Sequence, residues 1–116
     1  MKRSILLYLE DIIESIEKIE EYTRGLDEDD FKEDSKLQDA VMRRIGIIGE
    51  AVKNIPLKIT SKYPDIPWKE IAGMKDFLIH SYFNANIERI WKVIEDDLPS
   101  LKESILNVKK ETNVIT

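Results

Sequence analysis

A single histidine, His80, sits inside the apolar run Gly73-Met74-Lys75-Asp76-Phe77-Leu78-Ile79-His80-Ser81-Tyr82-Phe83. Imidazole is the side chain whose unperturbed pKa, ~6.5, lets it take or give a proton near neutral pH. Lys75 precedes it by five positions and the Tyr82 phenol follows it by two, so a proton carrier, a cation and a hydroxyl share one short stretch. A lone His in apolar surroundings can also be a core residue held by one hydrogen bond. The ordered polar neighbours are what raise acid-base chemistry as the alternative.

On a continuous helix Asp76 and His80 are four apart and share a face, while Lys75 and Tyr82 are seven apart and share another. Lys75 and His80 then stand ~140° apart around a 3.6-residue turn, a poor alignment for one rigid helix. A two-fold dimer that brings two such helices together presents each residue twice and makes a composite cleft easier to build. The apolar side chains Phe77, Ile79 and Phe83, flanked by Trp91, exceed what one small bundle needs to hide, and surfaces of that kind favour permanent association. Elsewhere, Arg43 and Glu50 are seven apart and share a helix face. They read as a surface ion pair, worth about 0–1 kcal/mol if exposed.

The elements that must position these residues all read with helical period, and no run alternates at period two, so the fold class is all-α. The expected architecture is an antiparallel up-down bundle of four to five helices in a single domain, 1–116. The first helix is expected over Lys2 to Arg24, with Ile5, Leu9, Ile12, Ile16 and Ile19 on one stripe and Gly25 as its C-terminal stop. Leu26 to Asp34 is an acidic connection with a short turn. Asp34 or Ser35 can then cap a second helix running to about Asn54. Gly46 and Gly49 inside that helix cost ~1 kcal/mol each against Ala, which with Ala51 suggests close approach of a neighbour. Pro56, Pro64 and Pro67 cut the middle into short pieces, a turn around Leu57 to Lys62 and another begun at Pro67-Trp68. The motif helix is expected over Met74 to Phe83. Asn84 or Asn86 then restarts the chain into Ile87 to Asp97, and Pro99 sits in the first turn of a separate last helix.

Composition narrows the function classes. At 116 residues the chain can bury one core but not two. Hydrophobic residues at 42% against 35% charged exclude a disordered chain. A net charge of -5 disfavours broad binding to a phosphate backbone, so any nucleic-acid contact should be local. The absence of cysteine removes disulfides and thiolate metal sites and fits a reducing, cytoplasmic compartment. Ile5-Leu6-Leu7-Tyr8-Leu9 is too short and too quickly followed by Glu10 and Asp11 to be a membrane span or signal. One His gives no Glu-x-x-His pair and no ligand cluster, and there is no Gly-rich phosphate loop, so no metal or cofactor is expected.

Lys75-x4-His80-x-Tyr82 resembles the Arg-x4-His-x-Tyr signature of the HEPN superfamily, in particular HepT-like toxins paired with minimal nucleotidyltransferase antitoxins. Arg43 and Ile47-Ile48-Gly49-Glu50-Ala51 are similar to that family's second-helix pattern, and the resemblance implies a supporting role beside the cleft for Arg43 and Glu50. Tyr63-Pro64-Asp65-Ile66-Pro67-Trp68 and Ile71-Ala72-Gly73-Met74 resemble its approach to the motif. Tyr82-Phe83-Asn84 through Trp91, then Asp96-Asp97-Leu98-Pro99, resemble its exit. The similarity runs from about Leu37 to Ile105, with Lys75 where the family has Arg. The resemblance implies a homodimer with paired motifs at its interface, metal-independent cleavage of RNA, and a nucleotidyltransferase partner. It also implies roles. His80 would transfer protons, Lys75 would stabilise charge on the phosphate, and Asp76 would orient His80. Tyr82 would contact the substrate or receive AMP from the antitoxin. Asp76 on its own reads equally as an N-terminal helix carboxylate favoured by the dipole. Lysine offers a point charge where Arg offers a planar fork, so the exchange is not conservative at a phosphate site. It keeps open a non-catalytic module that binds a nucleotidyltransferase or a nucleotide.

Overall fold

The computed structural model describes residues 4–80 and 87–115. Helix α1 (Ile5–Thr23) begins where the Ser4 hydroxyl accepts a hydrogen bond from the Leu6 backbone N–H at 3.1 Å. Its stripe Leu9, Ile12, Ile16 and Ile19 is completely buried, as the three-and-four spacing requires. The helix ends just before Gly25, which takes φ +78°, a left-handed conformation that favours glycine.

The acidic connection folds into a short helix, α2 (Glu28–Lys32), held by reciprocal capping. Asp27 accepts from the Asp30 N–H at 2.9 Å and Asp30 accepts from the Asp27 N–H at 3.0 Å. This holds Phe31 inward, where it is fully buried. Asp34 then caps α3 (Ser35–Lys53), accepting from the Leu37 N–H at 3.0 Å. Val41, Ile45 and Ile48 of α3 are buried against α1. The proline-rich middle gives the two expected short pieces, α4 (Leu57–Thr60) and α5 (Trp68–Ala72). The Trp68 indole N–H donates to the Tyr63 carbonyl at 3.0 Å, tying the loop between them.

Helix α6 (Met74–His80) carries the motif. The expected extension to Phe83 and the restart at Asn84 or Asn86 lie outside the described residues. Beyond them the structure departs from the sequence reading. Instead of a break between Asp97 and a separate last helix, α7 (Ile87–Lys92) passes through a π-helical turn, Val93–Asp97, directly into α8 (Leu98–Ile115). Pro99 has no N–H and its ring crowds the carbonyl four residues back, which ordinarily breaks or kinks a helix. Here the column absorbs the defect by widening one turn, with the Leu98 N–H donating to the Val93 carbonyl.

Helices α3 and α8 flank α1, and α5 and α6 lie against α3. The result is the all-α bundle expected from the periodicity, and among the described residues no helix is long and apolar enough to cross a membrane. Trp91 belongs to the core, 6% exposed, with its ring centroid 5.5 Å from that of Phe31. The expectation that it flanks an exposed apolar surface is therefore corrected: a tryptophan on the inner stripe of α7 closes the space over α2.

Candidate functional site

Within α6 the one buried residue is Leu78. Residues two positions to either side of it on a helix are displaced by about 200°, so Asp76 and His80 stand on the face opposite the core. Both are exposed, as are Lys75, Phe77 and Ile79. Phe77 and Ile79, 51% and 49% exposed, leave the histidine in a largely apolar outer surface. Among the described residues no hydrogen bond joins Asp76 to His80, although both lie on that face. Tyr82 falls outside the described residues.

Lys75 turns the other way. Its stem lies over α3 at Gly46, so close that a Cβ on that glycine would meet Cδ at 2.8 Å and Nζ at 3.2 Å. Gly49, one turn on, faces backbone instead: a Cβ there would stand 3.1 Å from the Ala72 carbonyl oxygen. The expected close approach is therefore present at both glycines, with a helix end at Gly49 and a side chain at Gly46.

Lys75, Arg43 and Glu50 border one cleft of about 630 Å³ between α1 and α3. The structure thus brings together the motif cation and the two second-helix residues, and leaves Asp76 and His80 outside. Glu50 pairs with Lys53 at 3.2 Å, and among the described residues no ion pair joins it to Arg43. Asp11 and Asp39 complete the cleft's charged lining, three carboxylates with Glu50 against two cations. That balance argues against a general polyanion trap. Asp11, Asp39 and Tyr8 were not singled out from sequence; they are ordinary polar positions on amphipathic helices, and only packing gathers them.

On the other side of α6 lies a more apolar groove of about 860 Å³ against the π turn and α8, bordered by Met74, Phe77, Val93 and Leu101. The Arg89 guanidinium covers the Phe77 ring at its rim.

The fold is an all-α bundle in which the chain's one histidine stands exposed on α6. The match to the family model described as Ribonuclease HepT-like covers residues 12–108, and the chain belongs to this family. It is 50% identical over 110 residues to a Thermococcus cleftensis protein named "Probable ribonuclease HepT", covering 95% of this chain and 100% of that one. It is 51% identical over 111 residues to a Methanocaldococcus jannaschii protein named "Gamma-glutamylcyclotransferase and putative RNase", covering 96% of this chain but only 50% of that one. A Caldanaerobacter subterraneus protein named "Putative RNase" is 43% identical over 101 residues, 87% of this chain and 90% of its own length. No solved structure matches the chain significantly.

Proposed function

We propose that this chain is a metal-independent endoribonuclease, a single domain that dimerises and serves as the toxin half of a pair with a minimal nucleotidyltransferase in the cytoplasm. The observation that carries this reading is the outer face of α6, where His80 is exposed beside half-exposed Phe77 and Ile79. A histidine intended for the core would not stand opposite Leu78. A proton-transfer residue set in an apolar surface suits a site that a second copy closes.

In such a dimer the two His80 side chains face one substrate. One accepts the proton of a ribose 2'-hydroxyl as its oxygen attacks phosphorus. The other donates a proton to the 5'-oxygen as the P–O5' bond breaks, leaving a 2',3'-cyclic phosphate and a free 5'-hydroxyl. Lys75 supplies positive charge toward the phosphate, Arg43 and Glu50 border its cleft, and Asp76 orients His80. Tyr82 contacts the RNA and is the point at which the partner adds AMP.

The test is cleavage of single-stranded RNA in EDTA. The parent should cut, and His80→Ala should abolish cutting with helix content and dimerisation intact; equal activity of the two sinks the assignment. One observation favours the second reading, a non-catalytic module for a nucleotidyltransferase or nucleotide. Lys75 stands where the resembled motif has Arg, a point charge in place of a planar fork.

A further inference from the structure

The side chain that Gly46 lacks is what gives Lys75 its place. Gly46 is buried in the middle of α3, where glycine is a poor helix former, and no positive φ there demands it. Its neighbour on the same face, Gly49, has a structural reason, since its missing Cβ admits the Ala72 carbonyl at 3.1 Å. At Gly46 no backbone atom of another element comes as near as a side chain does. The three atoms nearest its missing Cβ are all from Lys75, with Cδ at 2.8 Å, Nζ at 3.2 Å and Cε at 3.3 Å.

We propose that Gly46 is a positioning residue for the proposed ribonuclease activity: the bare backbone is a seat across which the Lys75 stem lies, delivering its ammonium into the cleft shared with Arg43. The seat works by omission. Any Cβ at position 46 would overlap the far part of a flexible lysine, and the lysine would swing off α3 at little cost to the fold. An exposed lysine otherwise samples many rotamers, and laying its stem on the helix restricts them. The inference rests on the proposed role of Lys75, yet the seat itself can be measured apart from it.

Gly46→Ala is the test, because alanine adds only the Cβ and is the better helix former. The urea midpoint should stay at or above the parental value, whereas Gly49→Ala, pressing on backbone, should lower it. Cleavage by Gly46→Ala should fall in kcat by the same factor as Lys75→Ala, with KM little changed. The double variant should be no worse than Lys75→Ala alone. Parental kcat in Gly46→Ala, losses that multiply in the double variant, or an unfolded Gly46→Ala would each overturn the proposal. If the parent cuts no RNA, the activity reading fails, and the seat is then read from ¹³C-dimethylated lysine spectra. The signal missing in Lys75→Ala should shift in Gly46→Ala, and an unmoved signal overturns the seat.

Discussion

The guanidinium carbon of Arg89 stands 4.9 Å from the ring centroid of Phe77, so a cation on α7 covers one face of a half-exposed aromatic on α6. Such a contact contributes about 0.5–1 kcal/mol at an exposed site, and it ties together the two elements that bracket the motif's end. Among the described residues of α6 it leaves Ile79 as the uncovered apolar residue next to His80. Ile79→Glu should therefore leave the monomer folded, with parental helix content, while shifting sedimentation from dimer to monomer and abolishing RNA cleavage. A fully active monomer at micromolar concentration would falsify the composite site.

Lys75→Arg puts a planar fork where the chain has a point charge. With Gly46 beneath it the longer side chain has open backbone to lie on, so cleavage or growth arrest on expression should increase, and Lys75→Ala should decrease both. An arginine variant indistinguishable from the parent in kcat would show that the motif's cation is not what limits cleavage.

Ser15 is 1% exposed on α1 and its hydroxyl has no hydrogen-bond partner among the described residues. An unsatisfied buried hydroxyl costs about 1–3 kcal/mol, and alanine also propagates a helix better. Ser15→Ala should raise stability by about 1 kcal/mol in urea unfolding. A loss of stability would mean that the hydroxyl has a partner in solution.

Alkaline pH should loosen the bundle at two known joints. The Lys102 amine donates to Glu20 at 2.9 Å and lies 3.5 Å from Glu17, joining α8 to α1; the Glu20 hydrogen bond holds its pKa above the ordinary lysine value. Burial, and then the 2.8 Å hydrogen bond to Glu111, hold the Tyr63 phenol above its own ordinary value. Both groups keep their protons to higher pH folded than unfolded. Their contribution is fully present below the unfolded values, near pH 10, and is lost as pH rises through the folded ones. The urea midpoint should be flat from about pH 7 to 9 and fall above about pH 10. Lys102→Met and Tyr63→Phe should each flatten that fall.

The residue pattern alone determined the helical class and most element ends, because their causes are local. The three-and-four stripe of Ile5 to Ile19, the stop at Gly25, the cap at Asp34 and the short pieces after Pro56 and Pro67 act over a few residues of chain. Pro99 reads locally as a break. Whether a column breaks or widens there depends on packing along its whole length, and Leu98 just before it and Leu101 and Ile105 beyond it are all buried, which holds the column in line. The candidate site divides in the same way. The outward placement of Asp76 and His80 follows from their spacing about Leu78 on one helix, whereas the direction of Lys75 does not. Its stem has several rotamers, and only the bare backbone of Gly46 on a different helix selects among them. Trp91 turned inward for the same kind of reason: α2 delivers Phe31 to meet it, a contact between residues far apart in sequence that only tertiary packing brings together.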